Sequence, residues 1–438
     1  MTTTRRLPRL ALWAALGLVL IVAALWAAVW ALNVRGESPI PADDAAPFVA
    51  TPQQVERGAY LARAGNCAGC HTARGGAAYA GGLAIETPFG TVFSSNLTPD
   101  PATGLGRWSA AHFWRAMHHG RSMDGRLLYP AFPYTDYTLV TREDSDALFA
   151  YLRSLPPVAL ARPAHALRFP YDTQAALAVW RALYFEPAHF EPESERPADW
   201  NRGAYLVRGL GHCSACHTQR NALGASDLGL PLGGGLIPVQ NWYAPSLRSA
   251  DEAGVAEWST QEVVDLLKTG RSARGSAMGP MAEVVARSTQ HLNDADLNAM
   301  AVYLQSLPQH GARRSRAAQA DRAAAGSPDS RGGKLYEQHC AQCHGPAGEG
   351  AAGLYPPLAG NRAVSMDSAA NLIRIVQGGG YLPATAGNPR PFGMPPFAHV
   401  LDEADTAAVL SYVRGAWGND AAPVTPLEVL RLRPGALR

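Results

Sequence analysis

All six cysteines of this 438-residue chain fall into one pattern, C-x-x-C-H, written three times: Cys67, Cys70 and His71; Cys213, Cys216 and His217; Cys340, Cys343 and His344. None is left over for a disulfide framework. Six cysteines can also mean a zinc site or a redox dithiol, and spacing decides among these. A zinc site needs paired motifs closing one tetrahedron, and here consecutive motifs stand more than a hundred residues apart. A thioredoxin-like dithiol would be a single motif in another context. Two thiols followed at once by an imidazole suit the attachment of haem: the thiols add to its two vinyl groups and the imidazole binds its iron. Three covalently bound haem c groups are therefore expected, with His71, His217 and His344 as iron ligands.

The flanking sequence repeats as well, which is the first thing to look for in a chain of this length. Arg57-Gly58-Ala59-Tyr60-Leu61 precedes the first motif and Arg202-Gly203-Ala204-Tyr205-Leu206 the second; Thr72 and Thr218 follow them. Trp108-Ser109 leads to Gly120-Arg121-Ser122, and Trp258-Ser259 leads at the same interval to Gly270-Arg271-Ser272. The third copy is more distant and opens with Gly333-Lys334-Leu335-Tyr336. Asp144, Asp296 and Asp405 each stand seven residues before Tyr151, Tyr303 and Tyr412, with apolar residues between them at helical spacing. Thr141 and Asp144 suit a helix start. Each copy reads as an opening helix ending in the motif, a loop-rich middle and a closing helix. The boundaries predicted are 48–157, 199–309 and 331–418, with a packed connector at 158–198 that includes a helical stretch over Gln174–Phe185, a flexible Arg/Ala/Ser/Gly linker at 310–330, and a tail at 419–438.

Ahead of these modules, Leu10 to Leu32 is an uncharged run of 23 residues, beyond the roughly 20 needed to cross a bilayer core. Arg5, Arg6 and Arg9 precede it, so the positive-inside rule leaves residues 1–9 in the cytoplasm and sends the rest outward. The alternative is a long signal peptide that is cleaved. A formal net charge of +2 and the lack of a basic stripe point away from nucleic acid.

The sixth ligand tunes each iron, and methionine opposite histidine raises the potential. In the third copy Met394 is expected, ahead of Met366. In the second, Met281 is preferred to Met278. The first copy breaks the pattern: counting back from Tyr151 lands on Phe132, which cannot bind iron. Met123 is the candidate there, with His118, His119, Met117 or a five-coordinate iron as alternatives. His212 and His339, next to cysteines, are expected to be exposed.

These motifs, together with Thr87-Pro88-Phe89-Gly90, Asn96-Leu97-Thr98-Pro99-Asp100, Leu128-Tyr129-Pro130-Ala131 and Trp242-Tyr243-Ala244-Pro245, resemble the three-haem cytochrome c subunit of bacterial membrane-bound dehydrogenases. The resemblance runs from about Val55 to Trp417. It implies a mainly α chain of three tandem class I cytochrome c domains behind an N-terminal transmembrane helix, anchored in the bacterial inner membrane with its haem domains in the periplasm. It further implies a catalytic dehydrogenase subunit of quinoprotein, flavoprotein or molybdenum type as electron donor, with ubiquinone or another cytochrome as acceptor. Substrate contacts would then lie on a different polypeptide. Two other readings stay open: a peroxidase-like haem enzyme using an open first site, and a free-standing anchored shuttle.

Overall fold

In the computed structural model, which describes residues 6–40, 48–311 and 325–435, helices carry the architecture and the strands are short hairpins. Helix α1 (Arg6–Val34) includes a stretch, Leu10–Val34, with a mean hydropathy of 2.5 and its apolar side chains exposed. It is long and apolar enough to cross a membrane. Its last turn is anchored instead on protein, because Asn33 is buried against the connector.

The first copy comprises α2 (Pro52–Ala64), α3 (Cys67–His71), the hairpin β1 (Ala84–Thr87) and β2 (Gly90–Phe93), α4 (Ala110–His119), α5 (Tyr134–Tyr137) and α6 (Arg142–Ser154). The connector adds β3 (Ala166–Leu167), which pairs with β2, and α7 (Gln174–Tyr184). The second copy comprises α8 (Ala198–Tyr205), α9 (Ser214–His217), β4 (Gly235–Ile237), β5 (Trp242–Ala244), α10 (Thr260–Thr269), β6 (Arg271–Ser272), β7 (Gly275–Ser276), α11 (Pro280–Arg287) and α12 (Asp294–Gln305). The third comprises α13 (Arg331–His339), α14 (Ala341–His344), α15 (Arg362–Ser365), α16 (Ala370–Gly378), β8 (Gly380–Tyr381), β9 (Gly393–Met394) and α17 (Glu403–Gly415).

Opening and closing helices cross on one device. A Cβ at Gly58, Gly203 or Gly332 would collide with the carbonyl oxygen of Ala147, Ala299 or Ala408 respectively, and each would also press on the Cβ of Tyr151, Tyr303 or Tyr412. The repeated glycine thus lets two backbones approach, and the repeated tyrosine fills the crossing. Thr141 caps α6 through the Asp144 amide, as its sequence suggested, and Asn293, Ser330 and Asp402 cap their helices alike. The second copy holds nine residues between Gly203 and Cys213 where the first holds eight between Gly58 and Cys67. The extra residue is taken up as a π-helical turn, Leu206–Leu210, which keeps the motif in place.

One apolar core runs through the first two copies, joining Leu61, Phe149 and Leu152 to Leu206, Leu210, Leu297 and Leu304. The third copy builds its own around Tyr336, Val409, Tyr412 and Val413. It docks on the second through paired bonds: Tyr243 N donates to Asn371 Oδ1 at 2.9 Å, and Asn371 Nδ2 donates to Tyr243 O at 2.8 Å. The tail is more than a tail. Its α18 (Pro426–Leu432) folds back, with Val424 and Val429 buried on Ile373 and Leu410. Of the segment expected to be a flexible linker, residues 312–324 lie outside the described residues.

Candidate haem centres

Each C-x-x-C-H motif forms a short helical turn, α3, α9 or α14, at the end of its opening helix. In all three the histidine ring is clamped through Nδ1. His71 Nδ1 lies 2.7 Å from Ser95 O, His217 Nδ1 lies 2.7 Å from Pro245 O, and His344 Nδ1 lies 3.1 Å from Pro356 O. A carbonyl can only accept, so the ring proton sits on Nδ1 and the Nε2 lone pair is left for a metal. Burial pushes all three imidazoles below their usual pKa, against the pull of those carbonyls, which keeps them neutral as a ligand must be. No cysteine is in a disulfide. Burial, then the neighbouring thiol, pushes Cys67 up to about 12, and burial, then Asp136, does the same for Cys213. Two free thiols and one pre-oriented neutral imidazole per site form the donor set that a covalently held haem requires.

The chain around each motif is folded by the motif itself. Gly81 N, Gly234 N and Gly350 N donate to the carbonyls of His71, His217 and His344 at 2.7, 2.7 and 2.8 Å. Thr72 Oγ1 and Thr218 Oγ1 receive the amides of Tyr79 and Leu232, which accounts for the repeated threonine. The role of Ser95, Pro245 and Pro356 as carbonyl acceptors was not read from the sequence, although Ser95 adjoins Asn96-Leu97-Thr98 and Pro245 ends Trp242-Tyr243-Ala244-Pro245.

Met281 stands half-buried in the first turn of α11, packed on the shared core. Met278 is turned the other way, its Cε near Gly380 of the third copy. Met394 is half-buried on β9, paired with Gly380. In the first copy, Leu128 N donates to Gly120 O just as Ala277 N donates to Gly270 O, both at 2.8 Å. Four residues on from these anchors stand Phe132 and Met281, so Phe132 takes the place that methionine holds in the second copy. It packs against the Tyr134 and Tyr137 rings. Met123 is half-buried in the loop between Ser122 and Asp124, its carbonyl taken by Arg115. Met117 belongs to the core beside Phe113, three residues before its C-cap glycine as Leu267 is before Gly270. His118 is stacked between Trp114 and His189, and His119 is buried beside it. His212 and His339 are not the exposed residues expected: His212 bonds Leu210 O through Nδ1 and packs on Tyr137, and His339 packs on Phe397. Copy-to-copy and loop packing covers both.

The first two motifs face one another across a near-symmetric interface. Tyr205 Oη of the second copy donates to Asp144 at 2.6 Å while Arg57 of the first pairs with the same carboxylate. In exchange, Tyr60 Oη donates to Asp296 at 2.6 Å while Arg202 holds it with two bonds. Asp136 accepts from Ser214, which lies inside the second motif, and Tyr137 Oη donates to Gly65 O beside the first.

The helix pairs and donor sets define a c-type cytochrome. The cytochrome c family model matches residues 55–156 and 330–417. The chain is 39% identical over 396 residues to the cytochrome c subunit of alcohol dehydrogenase (quinone) from Gluconacetobacter polyoxogenes, covering 86% of this chain and 84% of that one. It is 38% identical over 396 residues to the gluconate 2-dehydrogenase cytochrome c subunit of Pantoea cypripedii, covering 86% and 89%. It is 36% identical over 428 residues to the fructose dehydrogenase cytochrome subunit of Gluconobacter japonicus, covering 92% and 86%. The chain belongs to the cytochrome c family.

Proposed function

We propose that this chain is the electron-transfer subunit of a membrane dehydrogenase complex, with three haem c groups held by Cys67 and Cys70, Cys213 and Cys216, and Cys340 and Cys343. The observation that carries the proposal is the threefold recurrence of one donor set, two free thiols and an imidazole fixed through Nδ1, in a chain whose relatives are named as cytochrome subunits of dehydrogenases. When bound, haem supplies one-electron oxidation and reduction. The chain's own residues do the rest. His71, His217 and His344 are held at fixed ring angles by backbone carbonyls, so ligation costs no reorientation. Met281 and Met394 offer thioethers to the second and third sites, and Met123 is proposed for the first, where Phe132 has displaced the methionine.

The three copies are proposed as three domains, 48–157, 199–309 and 331–418, with α1 as an inner-membrane anchor that leaves them in the periplasm. The donor is proposed to be a catalytic dehydrogenase subunit of quinoprotein, flavoprotein or molybdenum type, and the acceptor ubiquinone or another cytochrome. Mass measurement of the mature protein tests the cofactor count: three haem additions are expected, falling to two in C67A/C70A. A full-length preparation with fewer than three would end the three-site reading. Substituting Met281→Ala or Met394→Ala is expected to lower one potential each and to abolish one methionine-to-iron charge-transfer band; Met123→Ala is expected to do the same at the first site, and an unchanged spectrum there would remove Met123 from the assignment.

A further inference from the structure

Single exposed apolar side chains are ordinary on a protein surface, whereas a contiguous set marks a contact. Outside α1, one such set stands out. Phe169 (82% exposed) and Tyr171 lie on the loop entering α7, and Val179 and Leu183 (64% exposed) lie four residues apart on its outer face. Leu223 of the second copy is exposed on a turn whose carbonyl accepts from Trp180 Nε1 at 2.9 Å. Phe89 of the first copy packs against Tyr171, ring centroids 4.5 Å apart with the planes tilted by 46°. The ridge therefore draws on the connector and on both flanking copies.

What lies beside it says what it meets. Helix α1 ends on α7: Asn33 Nδ2 donates to Ala178 O at 2.9 Å, Arg181 Nε donates to Asn33 Oδ1 at 2.9 Å, and Arg35 pairs with Glu186 at 3.2 Å. Arg121 ties the same junction from the first copy, donating to Asn33 O and to Glu37. The apolar run of α1 continues to Leu32, so the edge of the hydrocarbon passes beside Asn33. A helix in contact with that residue lies within about one helix diameter, ~10 Å, of the edge, and the headgroup layer is itself about 5–7 Å deep. Trp180 and Tyr184, on the same helix and in ring contact, are the amphipathic aromatics that suit this depth.

We propose that α7, with Phe169, Tyr171 and Leu223, is an interfacial ridge lying in the outer headgroup layer of the bilayer that α1 spans, so that the haem-bearing body is held against the membrane in one orientation. This rests on the reading of α1 as an anchor. A ridge of this composition binds by burying its apolar face at the acyl boundary, and the pinned junction at Asn33 removes the freedom a tether would have.

The test uses the full-length, haem-loaded protein, reconstituted without any partner into phosphatidylcholine and phosphatidylglycerol vesicles carrying a diazirine on the acyl chain. After irradiation, lipid adducts are mapped by mass spectrometry. Adducts are expected in α1, across 169–183 and at Leu223, with none above background at Leu354, an exposed apolar residue of the third copy. Adducts in α1 with only background at 169–183 would overturn the proposal and leave the anchor standing. Adducts at 169–183 with none in α1 would strike the anchor reading and, with it, the placement of the ridge beside a spanning helix. Adducts in neither would remove both. The double variant Val179→Glu, Leu183→Glu is expected to cut labelling at 169–183 and Leu223 at least tenfold with α1 unchanged; undiminished labelling there would also overturn the proposal.

Discussion

His118 shows how a single buried residue makes stability depend on pH. Burial, followed by the charges of His119 and His189, pushes its imidazole down to about 4, and burial and nearby arginines do the same to His119. The unfolded chain takes up these protons near the ordinary histidine pKa of about 6.5. Between those values the unfolded state binds more protons than the folded one, so the stability present above about 6.5 is progressively lost as pH falls toward 4. Thermal melts of the wild type at pH 7.5 and 5.0 should therefore differ by more than those of His118→Phe, which keeps the stack on Trp114 and discards the titration. Equal differences in the two proteins would assign the acid sensitivity elsewhere. At the same scale, the six cysteines and three motif histidines were legible because their spacing is local. Ser95, Pro245 and Pro356 were not, since a backbone carbonyl leaves no mark on residue identity.

At the scale of elements, the crossing glycines carry the prediction. Gly203→Ala puts a Cβ onto the Ala299 carbonyl, where backbone must move on both helices. Overpacking of this kind costs about 1–3 kcal/mol, and Gly58→Ala and Gly332→Ala should cost similar amounts. Chemical denaturation of the holoprotein checks this, and a loss under about 0.5 kcal/mol would show that the helix pairs separate cheaply. The opening and closing helices were readable from the repeated Arg-Gly-Ala-Tyr-Leu and Asp-to-Tyr intervals. The π turn at Leu206–Leu210 could be suspected only from the extra residue before Cys213. Helix α18 was missed because seven residues between prolines and arginines show a helical face only once Ile373 and Leu410 are there to receive Val429.

Across the whole molecule, the first two copies behave as partners in an internal dimer. Each exchanges a tyrosine for the other's closing-helix aspartate, and each aspartate also holds its own copy's arginine. Hydrogen bonds to charged groups are worth about 1.5–3 kcal/mol, so Tyr60→Phe and Tyr205→Phe should each destabilise by that order. The two lie on separate carboxylates, and their effects should add; strong non-additivity in a double-mutant cycle would mean that the interface opens as one unit. Acid should loosen the second lock in particular. Burial raises the Asp296 pKa, but the bonds from Arg202 and Tyr60 outweigh it and leave the carboxyl below its usual range. Its contribution is thus present above about pH 4, the ordinary aspartate value, and disappears as pH drops through the lower folded value.

The sequence by itself determined the chemistry on offer: which thiols and imidazoles stand together, how often the unit recurs, and that an apolar helix leads the chain. These are properties of residue type and short-range spacing, and no folding is needed to see them. The tertiary structure alone decided that Asp144 and Asp296 serve the neighbouring copy, that the first two copies share one core, and that α1 ends on α7. Each of these joins residues far apart in the chain, where only the packed backbone sets the distance.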